Sequence, residues 1–107
     1  MKHPIPNHIP LENAETIALQ ALAFIASDAA RLSNFTALTG VSLEDLHQRA
    51  SELDVLAAAL NALLQDEPSL LMFCANAAIQ PDDFAKAAHT LQHAITTRGA
   101  QADPAKD

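Results

Sequence analysis

Phe35-Thr36-Ala37-Leu38-Thr39-Gly40-Val41-Ser42-Leu43-Glu44-Asp45-Leu46 is answered, about 38 residues on, by Phe73-Cys74-Ala75-Asn76-Ala77-Ala78-Ile79-Gln80-Pro81-Asp82-Asp83-Phe84. Each stretch reads as helix end, turn and helix start. In the first, Gly40 suits a left-handed cap, Ser42 caps the next helix, and Glu44 and Asp45 favour its positive end. Val41 can staple onto Leu46. In the second, Pro81 sits where a helix tolerates proline best, and Asp82 and Asp83 follow it. Leu22 and Leu60, Asp28 and Asp66, Leu32 and Leu70, Ala50 and Ala88, and Leu53 and Leu91 match at the same offset. The pattern predicts an all-α fold: a compact bundle of five to six short helices in two pseudo-repeated units, about 16–53 and 54–91.

Composition agrees with helices. Half of the 107 residues are apolar, with no Trp or Tyr and only two Gly. That length holds one domain with one modest core. The division expected is an extended proline-rich arm over 1–11, a helical domain over 12–98 and a disordered tail over 99–107. Within the domain, helices are expected over about 12–26, up to 39, from 43 to about 51, 54–65, 68 onward, and from 81 to about 98. Asn13 is a plausible cap for the first and Pro68 a first-position residue for the fifth. The segments from Ile17 and from Val55 are apolar nearly all round, which places them centrally, with Ala21 and Ala57 to Ala59 allowing close approach. On the second helix, Arg31 and Asn34 are expected outside and Leu32, Phe35 and Leu38 inside. Leu70, Leu71, Phe73 and Cys74 are expected to pack along the fifth.

The formal net charge is −7. An acidic surface repels phosphate backbones and anionic lipid, so neither nucleic acid nor membrane is expected as a partner. Met1 to Pro10 has no apolar core of the signal-peptide type, and Ile17 to Ala26 is too short to span a bilayer. One cysteine allows no internal disulfide, which fits a cytoplasmic setting.

The chemical motifs are weak. His89 and His93 stand one helical turn apart, a spacing that can serve a metal, but Thr90 occupies the place of a metalloprotease glutamate and no third ligand is placed. Cys74 lies between Phe73 and Ala75 with no activating base, so it reads as a small buried hydrophobe. Glu44-Asp45 and Asp82-Asp83 need no role beyond the first turn of a helix. Leu38 to Leu46 has a helix-turn-helix cadence, yet His47, Gln48 and Arg49 are a thin supply of base-reading groups. Two glycines build no phosphate loop. No catalytic residue, metal ligand or cofactor is expected.

Apolar excess remains. It has three fates: burial, a homodimer face, or a groove for a partner protein. The candidate interaction residues are Leu71 and Met72, with an acidic rim at Asp66 and Glu67. A non-enzymatic interaction module is the leading expectation. Its rivals are a small-ligand or enzyme pocket between the repeats, and a helix-turn-helix-like DNA binder.

The string Glu15-Thr16-Ile17-Ala18-Leu19-Gln20-Ala21-Leu22-Ala23-Phe24-Ile25-Ala26-Ser27-Asp28 resembles a family of small bacterial proteins classed as a domain of unknown function. So do Phe35 with Thr39-Gly40-Val41, and Leu63-Leu64, Asp66-Glu67, Leu70-Leu71 and Phe73. The resemblance spans about 12–91 and rests on core and turn positions. It implies the helical fold and no activity, cofactor or catalytic residue. Relatives encoded beside two-component response regulators imply an adaptor or regulatory role in bacterial signalling. Pro68 departs from the family pattern, where a non-proline residue is expected.

Overall fold

The computed structural model describes residues 9–102, with side chains through Thr97. Six helices follow one another: α1 (Leu11–Ala26), α2 (Ala29–Thr39), α3 (Leu43–Arg49), α4 (Leu53–Leu64), α5 (Glu67–Ala77) and α6 (Pro81–Ala102). No strand occurs among the described residues. The fold is an all-α bundle.

Local chemistry sets the boundaries. Asp28 accepts the backbone N–H of Arg31 at 2.9 Å and starts α2. Ser42 and Asp45 form a reciprocal capping box at the start of α3, at 3.0 and 3.2 Å. Asp66 starts α5 by accepting from Ser69 N–H at 3.5 Å. Asn13 caps nothing: α1 begins after Pro10, and Asn13 lies exposed in its first turn. Pro68 occupies the second helical position rather than the first, because Glu67 already belongs to α5. α6 continues through Gly99 to Ala102, into the segment expected to fray.

Four of the six paired boundaries recur at one offset of 38 residues; the starts of α1 and α4 and the ends of α3 and α6 do not. α1 and α4 end at Ala26 and Leu64, α2 and α5 span 29–39 and 67–77, and α3 and α6 start at Leu43 and Pro81. The packing does not recur. α1, α4 and α6 pack on one another and form the core, while α3 contributes only Leu46 to it. The reason is length. Seven residues give α3 two turns, whereas the 22 of α6 run across both α1 and α4.

Alanines let the three core helices approach. Ala14, Ala18 and Ala21 on α1 are fully buried, as are Ala59 on α4 and Ala87 on α6. Phe84, Leu60 and Leu91 fill the space that remains, also fully buried. Each large apolar side chain removed from water contributes about 1.5–3 kcal/mol. Thr90 is the single buried polar residue among those described. Its hydroxyl accepts from Ile9 N–H at 3.2 Å and donates to the Ile9 carbonyl at 3.1 Å. That pair ties the chain ahead of α1 onto α6, and no sequence pattern announces it. His89 and His93 flank Thr90 on the exposed side of α6.

Two residues end their helices in the left-handed region: Gly40 with φ 77° and Ala78 with φ 58°. Their N–H groups accept the same duty, donating to Thr36 O and Cys74 O respectively. Gly40 bears the conformation without penalty, while Ala78 is strained by about 1–2 kcal/mol. A Cβ at position 40 would meet no atom within 4 Å, so the penalty there is purely backbone. We expect Ala78→Gly to stabilise the protein by about 0.5–1 kcal/mol and Gly40→Ala to destabilise it by a similar amount, after unfolded-chain entropy offsets part of the strain. Urea denaturation midpoints of the two variants check this; a shift of the same sign in both contradicts it.

Candidate functional site

Two neighbouring surface regions meet at Arg31, which lines the first and touches Met72 of the second. A cleft of about 450 Å³ opens where α2 meets the end of α4. Ile25, Phe35 and Leu63 make its floor and are buried; Leu38 makes a wall and is 56% exposed. Leu38 therefore points outward, against the expectation that it faces the core. α2 packs on α1 and α4 through Phe35 and the half-buried Leu32, and Leu38 lies off that contact. Arg31, Asn34, Gln65 and Asp66 supply the polar lining.

Arg31 is held by apolar partners. Its guanidinium lies 4.2 Å from the centroid of the Phe24 ring, a cation–π distance, and one terminal nitrogen is 3.8 Å from Met72 Sδ. Phe24 packs on Phe73 at 5.5 Å between ring centroids, and Phe73 on Phe84 at 5.6 Å. These tilted and edge-on contacts form a rigid aromatic column from the core to the surface. Arg31 tops it.

The second region is the outward face of α5. Glu67, Leu71 and Ala75 share one line along it, and Pro68, Met72 and Asn76 the next, and all are exposed. Leu71 and Met72 stand side by side at 49% and 51% exposure. Leu71 thus does not pack inward with Leu70, Phe73 and Cys74, which are buried. On α4, which α1 and α6 cover, the same spacing is buried throughout, at Leu56, Ala57, Ala59 and Leu60, whereas α5 is covered on its Leu70, Phe73 and Cys74 side alone. Of the residues expected to mark an interaction surface, Met72 touches Arg31, Asp66 lines the cleft, and Leu71 lines a shallow hollow with Ile79 and Pro81. Glu67 lies in the exposed first turn of α5. Arg31, Leu38, Asn34 and Gln65 were not among them. The one available signal was that Arg31 is the sole Lys or Arg between Lys2 and Arg49.

Arg49 has the opposite surroundings. Asp45, Glu52 and Asp54 lie 3.8, 2.8 and 2.9 Å from its guanidinium. The hydrogen bond to Glu52 and the neighbouring negative charges hold its pKa above the ordinary value. Gln48 donates its side-chain amide to Glu44 at 3.3 Å. On α3, then, two of the three groups that would read bases are engaged with carboxylates.

The model of a family described as protein of unknown function, DUF3572, matches residues 11–94. The chain belongs to this family. No curated protein and no solved structure matches it. The span matched by DUF3572 opens with the first residue of α1 and closes just past Leu91 on α6, so it takes in all of the buried core. Both surface regions lie inside it. Among the described residues, no three of His, Cys, Asp and Glu are grouped to hold a metal, and no helix is long and apolar enough to cross a membrane.

Cys74 is buried at the inner side of α5, and burial pushes its thiol pKa up. A thiol whose pKa is higher folded than unfolded favours the fold below its unfolded value, near 8.5, and loses that contribution as the pH rises beyond it. Stability is therefore expected to fall as pH climbs above about 8.5, and less so in Cys74→Ala. Native Cys74 is expected to react with a thiol reagent at least about tenfold more slowly at pH 8 than in denaturant. Equal rates in both conditions contradict a buried, neutral thiol.

Proposed function

We propose that this protein is a non-enzymatic helical interaction module, a cytoplasmic adaptor or regulator that docks a protein partner on the outward face of α5. The observation that carries the reading is the pair Leu71 and Met72, adjacent and half exposed on a helix whose other large apolar residues are buried. Side by side they form an apolar patch on an otherwise acidic protein, and water penalises its exposure. A partner presenting an apolar helix face would cover it, with Glu67 at the edge available to a basic residue of that partner. Nucleic acid is disfavoured as the partner by the net charge and by the engagement of Arg49 with three carboxylates. A role in bacterial signalling accords with the family resemblance. The common offset of helix ends and caps supports descent from two tandem copies of a three-helix unit, in which α6 outgrew α3.

The test is cross-linking capture from the native host beside a solution mass measurement. Leu71→Asp and Met72→Asp are each expected to weaken the captured complex by at least about tenfold, because a buried carboxylate opposes an apolar contact. Leu43→Asp, equally exposed but on α3, is expected to leave it intact. A dimer mass that Leu71→Asp returns to the monomer would assign the same face to a second copy of the chain. Complexes and masses indifferent to both α5 variants would remove this face from consideration.

A further inference from the structure

The cleft between α2 and α4 carries two opposite charges that do not meet. Arg31 and Asp66 both line it, yet no carboxylate oxygen among the described residues lies within 4.0 Å of the Arg31 guanidinium. Neither side chain is loose. Phe24 and Met72 pack against the Arg31 guanidinium, Arg31 also lines the cleft, and its remaining guanidinium N–H groups have no hydrogen-bond acceptor among the described residues. Asp66 is held by capping, with Oδ1 accepting from Ser69 N–H, while Oδ2 has no hydrogen-bond partner among the described residues. Asn34 and Gln65 add two side-chain amides without hydrogen-bond partners among the described residues. Beneath them lies the apolar floor of Ile25, Phe35 and Leu63.

We propose that this cleft binds a small zwitterion with an apolar body: an apolar α-amino acid or a dipeptide of such residues. The ligand carboxylate pairs with Arg31, whose planar fork matches it in two parallel hydrogen bonds. The ligand ammonium pairs with Asp66, and the apolar side chain covers the floor. A simple acid would bring its charge beside Asp66 uncompensated, and a simple amine would do the same beside Arg31. Only a molecule bearing both charges satisfies both walls. The volume of about 450 Å³ lies at the small end of ligand sites. This site shares Met72 with the α5 docking face, because Met72 packs on Arg31, but it needs neither Leu71 nor any protein partner, so the titration below and the capture experiment can fail separately.

The experiment is an amide-shift titration of the intact chain with four probes: L-leucine, leucyl-leucine, 4-methylpentanoate, which lacks the amine, and 3-methylbutylamine, which lacks the carboxylate. At least one of the two zwitterions is expected to move the amides of α2 and of Ala62 to Asp66 saturably, and each half-ligand to bind at least about tenfold more weakly. Arg31→Gln is expected to weaken that zwitterion by about tenfold and to erase its advantage over the amine. Asp66→Asn keeps the helix cap, because asparagine caps as well as aspartate, and is expected to erase the advantage over the acid. Retained helicity by circular dichroism separates loss of binding from loss of fold. No saturable shift with either zwitterion up to about 50 mM, or 4-methylpentanoate binding as tightly as L-leucine, overturns the proposal.

Discussion

Close approach of α1 to α4 and α6 is the constraint on which the rest of the molecule depends. Ala14, Ala18 and Ala21 place single methyl groups at that seam, so backbones can come near the lower limit of helix spacing. Phe84, Leu60 and Leu91 fill what remains, without exposure. A larger side chain at the seam would force the helices apart, at about 1–3 kcal/mol for each extra group inserted. α2 and α5 then pack on the sides of this trio, and α3, which lies between α2 and α4 in the chain, adds one buried leucine to the core. Thr90 closes the trio by fastening the chain before α1 onto α6.

The aromatic column is how this core reaches the surface. Phe84 belongs to the trio, Phe73 to α5 and Phe24 to the outer side of α1. Stacked in that order they leave a ring face near the surface, where Arg31 settles. The guanidinium is weakly hydrated and spreads its charge over a plane, so it can lie on a ring and still offer its N–H groups outward. Arg49 shows the alternative, in which three carboxylates occupy the same donors. Those pairs are exposed, so they contribute little to stability, yet they remove Arg49 from the groups free to meet a ligand. Two arginines on one small protein thus differ wholly in what they can recognise.

Much of the site lay hidden for a definite reason. The exposure of Met72 was legible because a run of four large apolar residues on a helix must leave some outside, while Leu71 was read both as packing along α5 and as a surface candidate, and only the structure put it outside. Asp66 was legible as a junction residue, though not as a wall of a cleft. Arg31, Leu38, Asn34 and Gln65 were not legible as a group, because they come from two stretches of chain, α2 and the end of α4, that only packing brings together. Leu38 was placed inside on the strength of its type alone. Which side of α2 is covered depends on how α2 crosses α1 and α4, and a weakly patterned helix does not encode that.

The sequence by itself determined the helix ends that carry a local signal: the starts of α2, α3 and α5 and the end of α2. Asp28, Ser42 and Asp66 act on N–H groups three residues away, and Gly40 acts through its own φ, so these signals need no distant partner. The family relationship was legible on the same local ground. The central place of α1 and α4 was legible in their all-round apolar character, whereas tertiary structure alone decided that α6 rather than α3 joined them, and that Thr90 would be buried. It alone decided that Arg31 would rest on Phe24 and Met72. Those outcomes depend on contacts between residues far apart in the chain, and α1 and α4, apolar on nearly every side, offer several faces among which only packing can choose.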